Sequence, residues 1–452
     1  MENTTKPISK RMTTILSVLL GISVLLNLLF FGGYLPLNQG STPQAKPIAP
    51  GQLHHEGYEL VQTVVLSRHN IRSPLSGKDS FLSTVTPHEW FAWSSNPAEL
   101  SLRGGALETM MGQYFRKWLE SEGLIAENWV PQDGEVRFYA NSKQRTIATT
   151  NYFKAGMLPV AEVDIETHAE YDTMDPVFNP VLTFTSEAYE KDAAKQMWDL
   201  YGDEIKSLGP NYELISKIID LKDSKAYTSG DFTGFDAEDV KLVLEVGKEP
   251  RTQGSLNKGT VVSDALVLQY YEAPNELDAS FGHPIEEGQW NDISLIKDTG
   301  LKVMFGTPLL CVNEAHPLLS VIKDELNMEG RKFTFLCGHD SNLVSVMSSL
   351  GVEDYTLPDS VEKNAAIGSK LVISRWKSPD GKEWISADVV YQTTSQLRGM
   401  ELLDSKHHPA VYRLSFEGLE QNEDGLYSQD AFMERLDTSI QEYDVLKEKY
   451  GQ

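Results

Sequence analysis

Two cysteines in 452 residues are too few for a disulfide scaffold. The ten histidines include no H-x-H or H-E-x-x-H pattern, so no metal centre is expected. Basic charge is also scarce. Forty Lys and Arg against 65 Asp and Glu leave a formal net charge of −25, a field that repels nucleic acid and anionic lipid. No basic, aromatic-interleaved stretch offsets it locally, which excludes a nucleic-acid partner. The absence of self-similarity at periods of about 20–50 residues excludes a solenoid or propeller.

One long apolar run is present. After a head carrying Lys6, Lys10 and Arg11 comes ILSVLLGISVLLNLLFFGGYL, residues 15–35, uncharged and about 31 Å long as a helix, enough to span a hydrocarbon core. A cleaved signal peptide has a shorter apolar region, about 7–15 residues, and a small-residue cleavage site that this stretch lacks. The positive head orients the span with the N-terminus inside. The expected order is a cytoplasmic head over 1–14, a signal-anchor over 15–35 and a flexible Pro/Gly/Gln/Ser-containing stalk over 36–56. The membrane is thus an expected partner and everything beyond it lies outside the cell; cleavage would release a secreted protein. Export permits a Cys311–Cys337 disulfide, but Phe333, Phe335 and Cys337 share one face of FTFLCG, which favours a buried free thiol.

Beyond the stalk, apolar runs of strand type alternate with helical stripes, the pattern of a layered α/β fold with a mixed sheet flanked by helices. Strands are expected at Val61–Leu66, Val136–Ala140, Arg331–Cys337, Lys370–Trp376 and Trp384–Tyr391. The last two are joined by SPDGKE, a turn signal. Leu107, Met110, Met111, Tyr114, Phe115 and Trp118 form one stripe of a helix over Ala106–Glu122 that Gly123 stops. From 172 to 302 helical segments predominate and no run is long enough to continue the sheet. The chain is therefore divided into a first α/β part (57–171), an inserted helical domain (172–302) and a second α/β part (303–452).

Three turns after strands carry chemistry. In VVLSRHNIRSP, Arg68, His69 and Arg72 follow an apolar strand, where α/β folds gather ligand groups, and two fixed cations around an imidazole suit a phosphate. A strand end trimmed with charge for solubility is the competing explanation. In NSKQRTIATTNYF, Asn141 or Ser142 can cap a helix whose first turn holds Arg145, a place where a cation is disfavoured unless an anion lies nearby. In FLCGHDSNLVSVMSSLG, His339 and Asp340 follow a strand directly, and Ser341 or Asn342 can cap the next helix.

Together these stretches resemble the histidine acid phosphatases of the phosphoglycerate mutase-like superfamily. The R-H-G-x-R-x-P signature is matched by Arg68-His69-Asn70-Ile71-Arg72-Ser73-Pro74 and the H-D signature by His339-Asp340. Asn70 departs from the usual glycine, and Asn is the residue best able to replace Gly should the turn need a positive φ. This variant, with NSKQRT, SDALVLQYYE (263–272) and GHDSNL, resembles the glucose-1-phosphatase subgroup over about residues 57–450, the N-terminal span excepted.

The resemblance implies an acid phosphatase that needs no metal or other cofactor. Arg68, Arg72 and Arg145 would neutralise a phosphate monoester through their planar forks. His69 would attack phosphorus, Asp340 would protonate the leaving oxygen and later accept a proton from water, and a cationic His339 would add a donor. Glu272, in LQYYEAP, would accept hydrogen bonds from a hydroxyl-rich leaving group such as glucose. A phytase-type or broad-specificity phosphatase shares all these residues but the last. An anchored binding protein on a retired phosphatase fold is the remaining alternative.

Overall fold

Val64 and Leu66 point to one side of their strand and Val65 to the other, and both sides are buried, so this strand lies inside a sheet covered on two faces. The computed structural model describes residues 53–75, 80–286 and 288–451. The sheet runs through Glu59–Arg68 (β1), Val136–Ala140 (β2), Ile165–Glu166 (β3), Phe333–Gly338 (β6), Lys370–Lys377 (β7), Glu383–Tyr391 (β8), Ala410–Arg413 (β9) and Tyr427–Ser428 (β10). A separate two-stranded ribbon joins Val240–Val243 (β4) to Arg251–Gly254 (β5). In the eight-stranded sheet the order is β10-β8-β7-β1-β6-β2-β3, with β9 also on β8. β1, β6, β2 and β3 are mutually parallel, whereas β7, β8, β9 and β10 pair antiparallel.

The longer helices are Leu102–Ser121 (α1), Gln144–Met157 (α2), Glu187–Ser207 (α3), Gly209–Ile218 (α4), Ser255–Glu272 (α5), Gln289–Leu301 (α6), Pro308–Leu326 (α7), Asp340–Ser349 (α8) and Gln429–Tyr450 (α9). α1 and α2 cover one sheet face through Phe115, Trp118 and Phe153, packed on Phe335 and Val65. α7 and α8 cover the other through Leu318, Ile322 and Val346, packed on Leu66 and Leu336. A third apolar cluster joins Ile215, Leu266 and Ile293 of α4, α5 and α6 to Ile71 and Leu107, so the helical layer packs directly on the loop after β1.

Several expectations need correction. β1 continues through Arg68, which is wholly buried, and α1 begins at Leu102 because Ser101 Oγ accepts the Gly104 N–H at 3.0 Å. The β4–β5 ribbon lies within the stretch read as helical. Lys143, not Asn141 or Ser142, is the N-cap of α2; His339, not Ser341 or Asn342, is the N-cap of α8, its N–H donating to Asn342 Oδ1 at 2.9 Å. The free-thiol reading, by contrast, holds: Cys311 within α7 and Cys337 in β6 are both buried free thiols, and no disulfide joins them. The head, the apolar span 15–35 and the stalk as far as residue 52 lie outside the described residues. Among the described residues no helix is long and apolar enough to cross a membrane.

Candidate active site

The parallel register sets the site. Arg68 of β1 pairs with Gly338 of β6, and Ala140 of β2 with Cys337. His69, His339 and Asn141 therefore leave the sheet at one level, at the carboxyl ends of three adjacent strands. The His69 N–H donates to the Gly338 carbonyl at 3.0 Å, the His69 carbonyl accepts from Gly368 N–H at 3.1 Å, and the Asn141 N–H donates to the Cys337 carbonyl at 2.9 Å.

His69 Nδ1 lies 2.9 Å from the Asn70 carbonyl oxygen, which can only accept. Nδ1 therefore carries the proton and Nε2 is left with a free lone pair. Burial, with the charges of Arg145, Arg72 and Arg68 adding to it, holds this imidazole well below its usual pKa, so it is neutral. Asn70 is not among the residues with a positive φ, contrary to the explanation offered for its replacing glycine. Its side chain has another use: Oδ1 accepts the Ile71 N–H at 2.8 Å and Nδ2 donates to Glu108 Oε2 at 2.8 Å. Glu108 Oε1 in turn meets the buried Lys370 Nζ at 2.8 Å, anchoring the loop to α1 and β7. Gly104 lets α1 approach that loop, for a Cβ there would stand 2.3 Å from the Ile71 carbonyl oxygen.

His339 faces His69 at 5.4 Å between ring centroids. Asp175 N–H donates to Asn141 Oδ1 at 2.9 Å, which turns Asn141 Nδ2 toward His339 Nε2, 2.7 Å away. Nε2 must accept, so in the neutral ring the His339 proton sits on Nδ1; Arg145 NH2, likewise only a donor, stands 3.4 Å from Nδ1, so these two donors face each other without a bond between them. Burial, reinforced by Arg145, holds the His339 pKa well below its usual value despite Asp340, which favours the neutral ring. A neutral ring in this tautomer still presents one donor.

The guanidinium groups of Arg68, Arg72 and Arg145 converge on the same place. Arg68 NH1 donates to Glu362 Oε1 at 2.6 Å and its NH2 lies 3.1 Å from Asp340 Oδ2, while Arg72 NH2 donates to Asp264 Oδ2 at 3.0 Å. Buried Nε atoms of all three have no hydrogen-bond acceptor among the described residues, and NH2 of Arg68 has only its ion pair with Asp340. Arg145 forms no ion pair with a carboxylate among the described residues; burial, then Arg72, pulls its pKa down to about 10. Such donors are costly unless an anion fills them.

A second ring of charge, absent from the sequence reading, holds the first. Lys297 of α6 is buried and contacts Asp264 Oδ1 and Glu362 Oε1, each at 2.9 Å, and Asp340 Oδ2 at 3.5 Å. Asp264 lay within the quoted SDALVLQYYE, but Lys297 and Glu362 belong to no motif, and only folding brings them beneath Arg68. Asp340 itself is ionised. Burial would raise its pKa, but Arg68, Lys297 and Arg72 together hold it well below the usual carboxylate range.

Glu272 stands apart from the other six predicted residues. It ends α5, and its Oε2 accepts from Ser101 Oγ at 2.8 Å, tying α5 to the N-terminus of α1. Ser101 also lines a pocket of about 520 Å³ with Trp93, Asn96, Gln144 and Tyr152. Gln144 precedes Arg145, and Leu100 of the same pocket pairs with Arg72, so the pocket adjoins the arginines. Glu249, also missed in the sequence, is solvent-accessible yet surrounded by neighbours, as a cleft wall is. Burial and then Asp340 raise its pKa, against the pull of Arg145.

The chain that carries this arrangement is similar to known proteins. A model described as histidine phosphatase superfamily (branch 2) matches residues 59–206. A glucose-1-phosphatase of Providencia rettgeri is 33% identical over 406 residues, 88% of this chain and 96% of that protein. This chain belongs to the histidine phosphatase superfamily. It is a histidine acid phosphatase, a hydrolase of phosphate monoesters. An Escherichia coli (strain K12) phytase is 26% identical over 398 residues, 83% of this chain and 90% of that one. Among solved structures, the apo form of Hafnia alvei phytase has a TM-score of 0.77 at 25% identity, covering 86% of this chain and 98% of that one.

Proposed function

We propose that this phosphatase acts on small sugar phosphates such as glucose 1-phosphate, through a phosphohistidine on His69. The observation that carries the mechanism is the pairing of a neutral His69, its Nε2 free, with three arginines whose buried donors lack acceptors. The phosphoryl oxygens fill those donors, and Nδ1–H of His339 supplies one more. Nε2 of His69 then forms a bond to phosphorus as the bond to the ester oxygen breaks, and that oxygen takes a proton from Asp340. Water next attacks the phosphohistidine and gives its proton to Asp340, releasing phosphate and His69.

Asp340 is ionised in the ligand-free cleft, so its proton arrives with the substrate. A monoester monoanion carries that proton in, and its negative charge cancels the arginine field that keeps Asp340 ionised. The glucose-1-phosphatase relatives and the carboxyl group of Glu249 beside the anion site support a neutral, hydroxyl-rich leaving group. The phytase likeness supports a second reading, a phytase-type enzyme, which a turnover panel including phytate separates from the first. We also propose that residues 15–35 anchor the enzyme with its catalytic part outside the cell, as their uncharged length suggests. Protease added to intact cells should then remove the catalytic part from the membrane fraction; a protein wholly recovered in the cytosol would refute this.

Single-turnover rapid quench tests the chemistry. Wild type should yield an acid-labile phosphoprotein, His69→Ala should yield none and lose hydrolysis, and Asp340→Asn should slow sugar phosphates far more than esters of acidic phenols. An active alanine variant would end the mechanism.

A further inference from the structure

Three side chains that share no residue with the catalytic cluster converge on one carboxylate oxygen. His88 Nε2 lies 2.7 Å and His283 Nε2 3.0 Å from Asp220 Oδ2, although the histidines stand 132 and 63 positions from Asp220. That separation hid the group from any search for local metal patterns. The side chains are 32%, 26% and 32% exposed for His88, His283 and Asp220, so solvent reaches the group on one side.

The group is held from several directions. Asp220 has left-handed backbone, φ 46 and ψ 49. Phe281 does too, at φ 53, unusual for a bulky residue, and its ring stacks on His88 at 4.8 Å and 11°. The His88 N–H donates to Thr86 Oγ1 at 3.1 Å and the His283 N–H to the Ser280 carbonyl at 3.0 Å.

We propose that His88, His283 and Asp220 bind a divalent transition-metal ion of the zinc class. Two imidazole nitrogens and one carboxylate oxygen form a donor set that zinc accepts from three protein ligands, with the fourth position left to water. All three donor atoms lie within 4.8 Å of one another. Bonds of about 2.0–2.1 Å at tetrahedral angles place donors roughly 3.3 Å apart, so the two contacts to Asp220 need open by only a few tenths of an ångström. The net charge of −25 raises the local concentration of cations.

The site joins the loop after β1 to the loops around 220 and 283. Beyond His88 the first of these continues to Trp93 and Asn96, walls of the pocket beside the arginines, and the Phe91 N–H rests on Gln269 Oε1 at 2.9 Å. The ion therefore braces the loop that walls this pocket and takes no part in phosphoryl transfer.

The test is titration of the metal-stripped full chain with Zn²⁺ at about pH 7.5, beside His88→Gln, His283→Gln and Asp220→Asn, the last because Asn tolerates left-handed backbone. Wild type should bind one Zn²⁺ with a Kd below about 1 μM, and each variant should bind at least about 10-fold more weakly. Zn²⁺ should raise the unfolding midpoint of wild type by roughly 2–6 °C and leave the variants unmoved. Aryl phosphate turnover should survive metal removal. No binding by wild type at about 100 μM Zn²⁺, or equal binding by wild type and variants, would overturn the site; an unmoved midpoint, or turnover lost with the ion, would overturn its bracing role.

Discussion

Asn141 Nδ2 stands 2.7 Å from His339 Nε2, and the Asp175 N–H, bonded to Asn141 Oδ1, decides which end of the amide faces the ring. One backbone donor on a loop thus sets the proton of an imidazole at the far side of the site. The consequence is that His339 donates from Nδ1 while neutral, so it can serve a phosphate without first gaining charge.

Asn141→Asp inverts this arrangement. The carboxylate accepts from Nε2 and stabilises the imidazolium, so the pH at which His339 titrates should rise and the pH–rate profile should move with it. Asn141→Leu removes the partner altogether and should lower kcat/KM by roughly 10-fold, the worth of one buried hydrogen bond to a reacting group. Steady-state pH profiles read both effects. A profile identical to wild type in the Asp variant would show that Asn141 does not control His339.

Much of this site was legible because its chemistry sits in contiguous turns. Arg68, His69 and Arg72 follow one strand and His339 and Asp340 another, and period-2 apolar runs fix which strand ends they occupy. What the sequence concealed arises from contacts across the fold. Lys297 and Glu362 meet Arg68 only once α6 and the loop before β7 have packed, and no local pattern marks either. The charge of His339 was left open because it depends on burial and on Arg145, neither of which a strand-end motif reports. Asn70 was misread through the backbone, when its side-chain amide carries the reason for its presence. Helix caps failed by one to three residues, since Asn141 and Asn342 spend their side chains on His339 rather than on the expected cap.

Buried histidines make the ligand-free enzyme acid-sensitive. Burial, chiefly, lowers the pKa of His55 to about 3 and holds His69 and His339 well below 6.5. Between those folded values and about 6.5 the unfolded chain binds more protons than the native one, so stability falls as pH falls. His55 contributes about 1.4 kcal/mol per pH unit in that window, or about 2 kcal/mol by pH 5, and His69 and His339 add losses in the same direction. Asp340 has linkage of the same sign at lower pH: its contribution is present above about pH 3.9 and is lost below that, as pH falls toward its depressed folded value. Urea unfolding at pH 7.5, 6 and 5 should therefore show a steep loss of stability toward acid. Inorganic phosphate, by cancelling the arginine charges that help keep His69 and His339 neutral, should restore much of it. Stability that is flat across this range would contradict the neutral histidines.

The last prediction separates two glutamates. Glu249 meets the fields of Asp340 and Arg145, whereas Glu272 is bonded to Ser101. Behind Glu249 lies Glu314, buried, with neither carboxyl oxygen bonded, its pKa pushed well above normal by burial and by Glu249. With Glu314 held neutral, the carboxylate of Glu249 near the anion site disfavours a leaving group that carries further phosphates and suits one that offers hydroxyls. Glu249→Gln should lower kcat/KM on glucose 1-phosphate by about 10-fold or more, the cost of losing a charged hydrogen-bond acceptor, while an aryl phosphate without hydroxyls is little changed and phytate gains relative to both. Glu272→Ala should instead weaken the start of α1, lowering thermal stability and slowing all substrates alike. Measured kcat/KM for the three substrates on both variants decides the matter. Equal losses on sugar and aryl esters in Glu249→Gln would remove Glu249 from leaving-group recognition, and a sugar-selective loss in Glu272→Ala would return that role to Glu272.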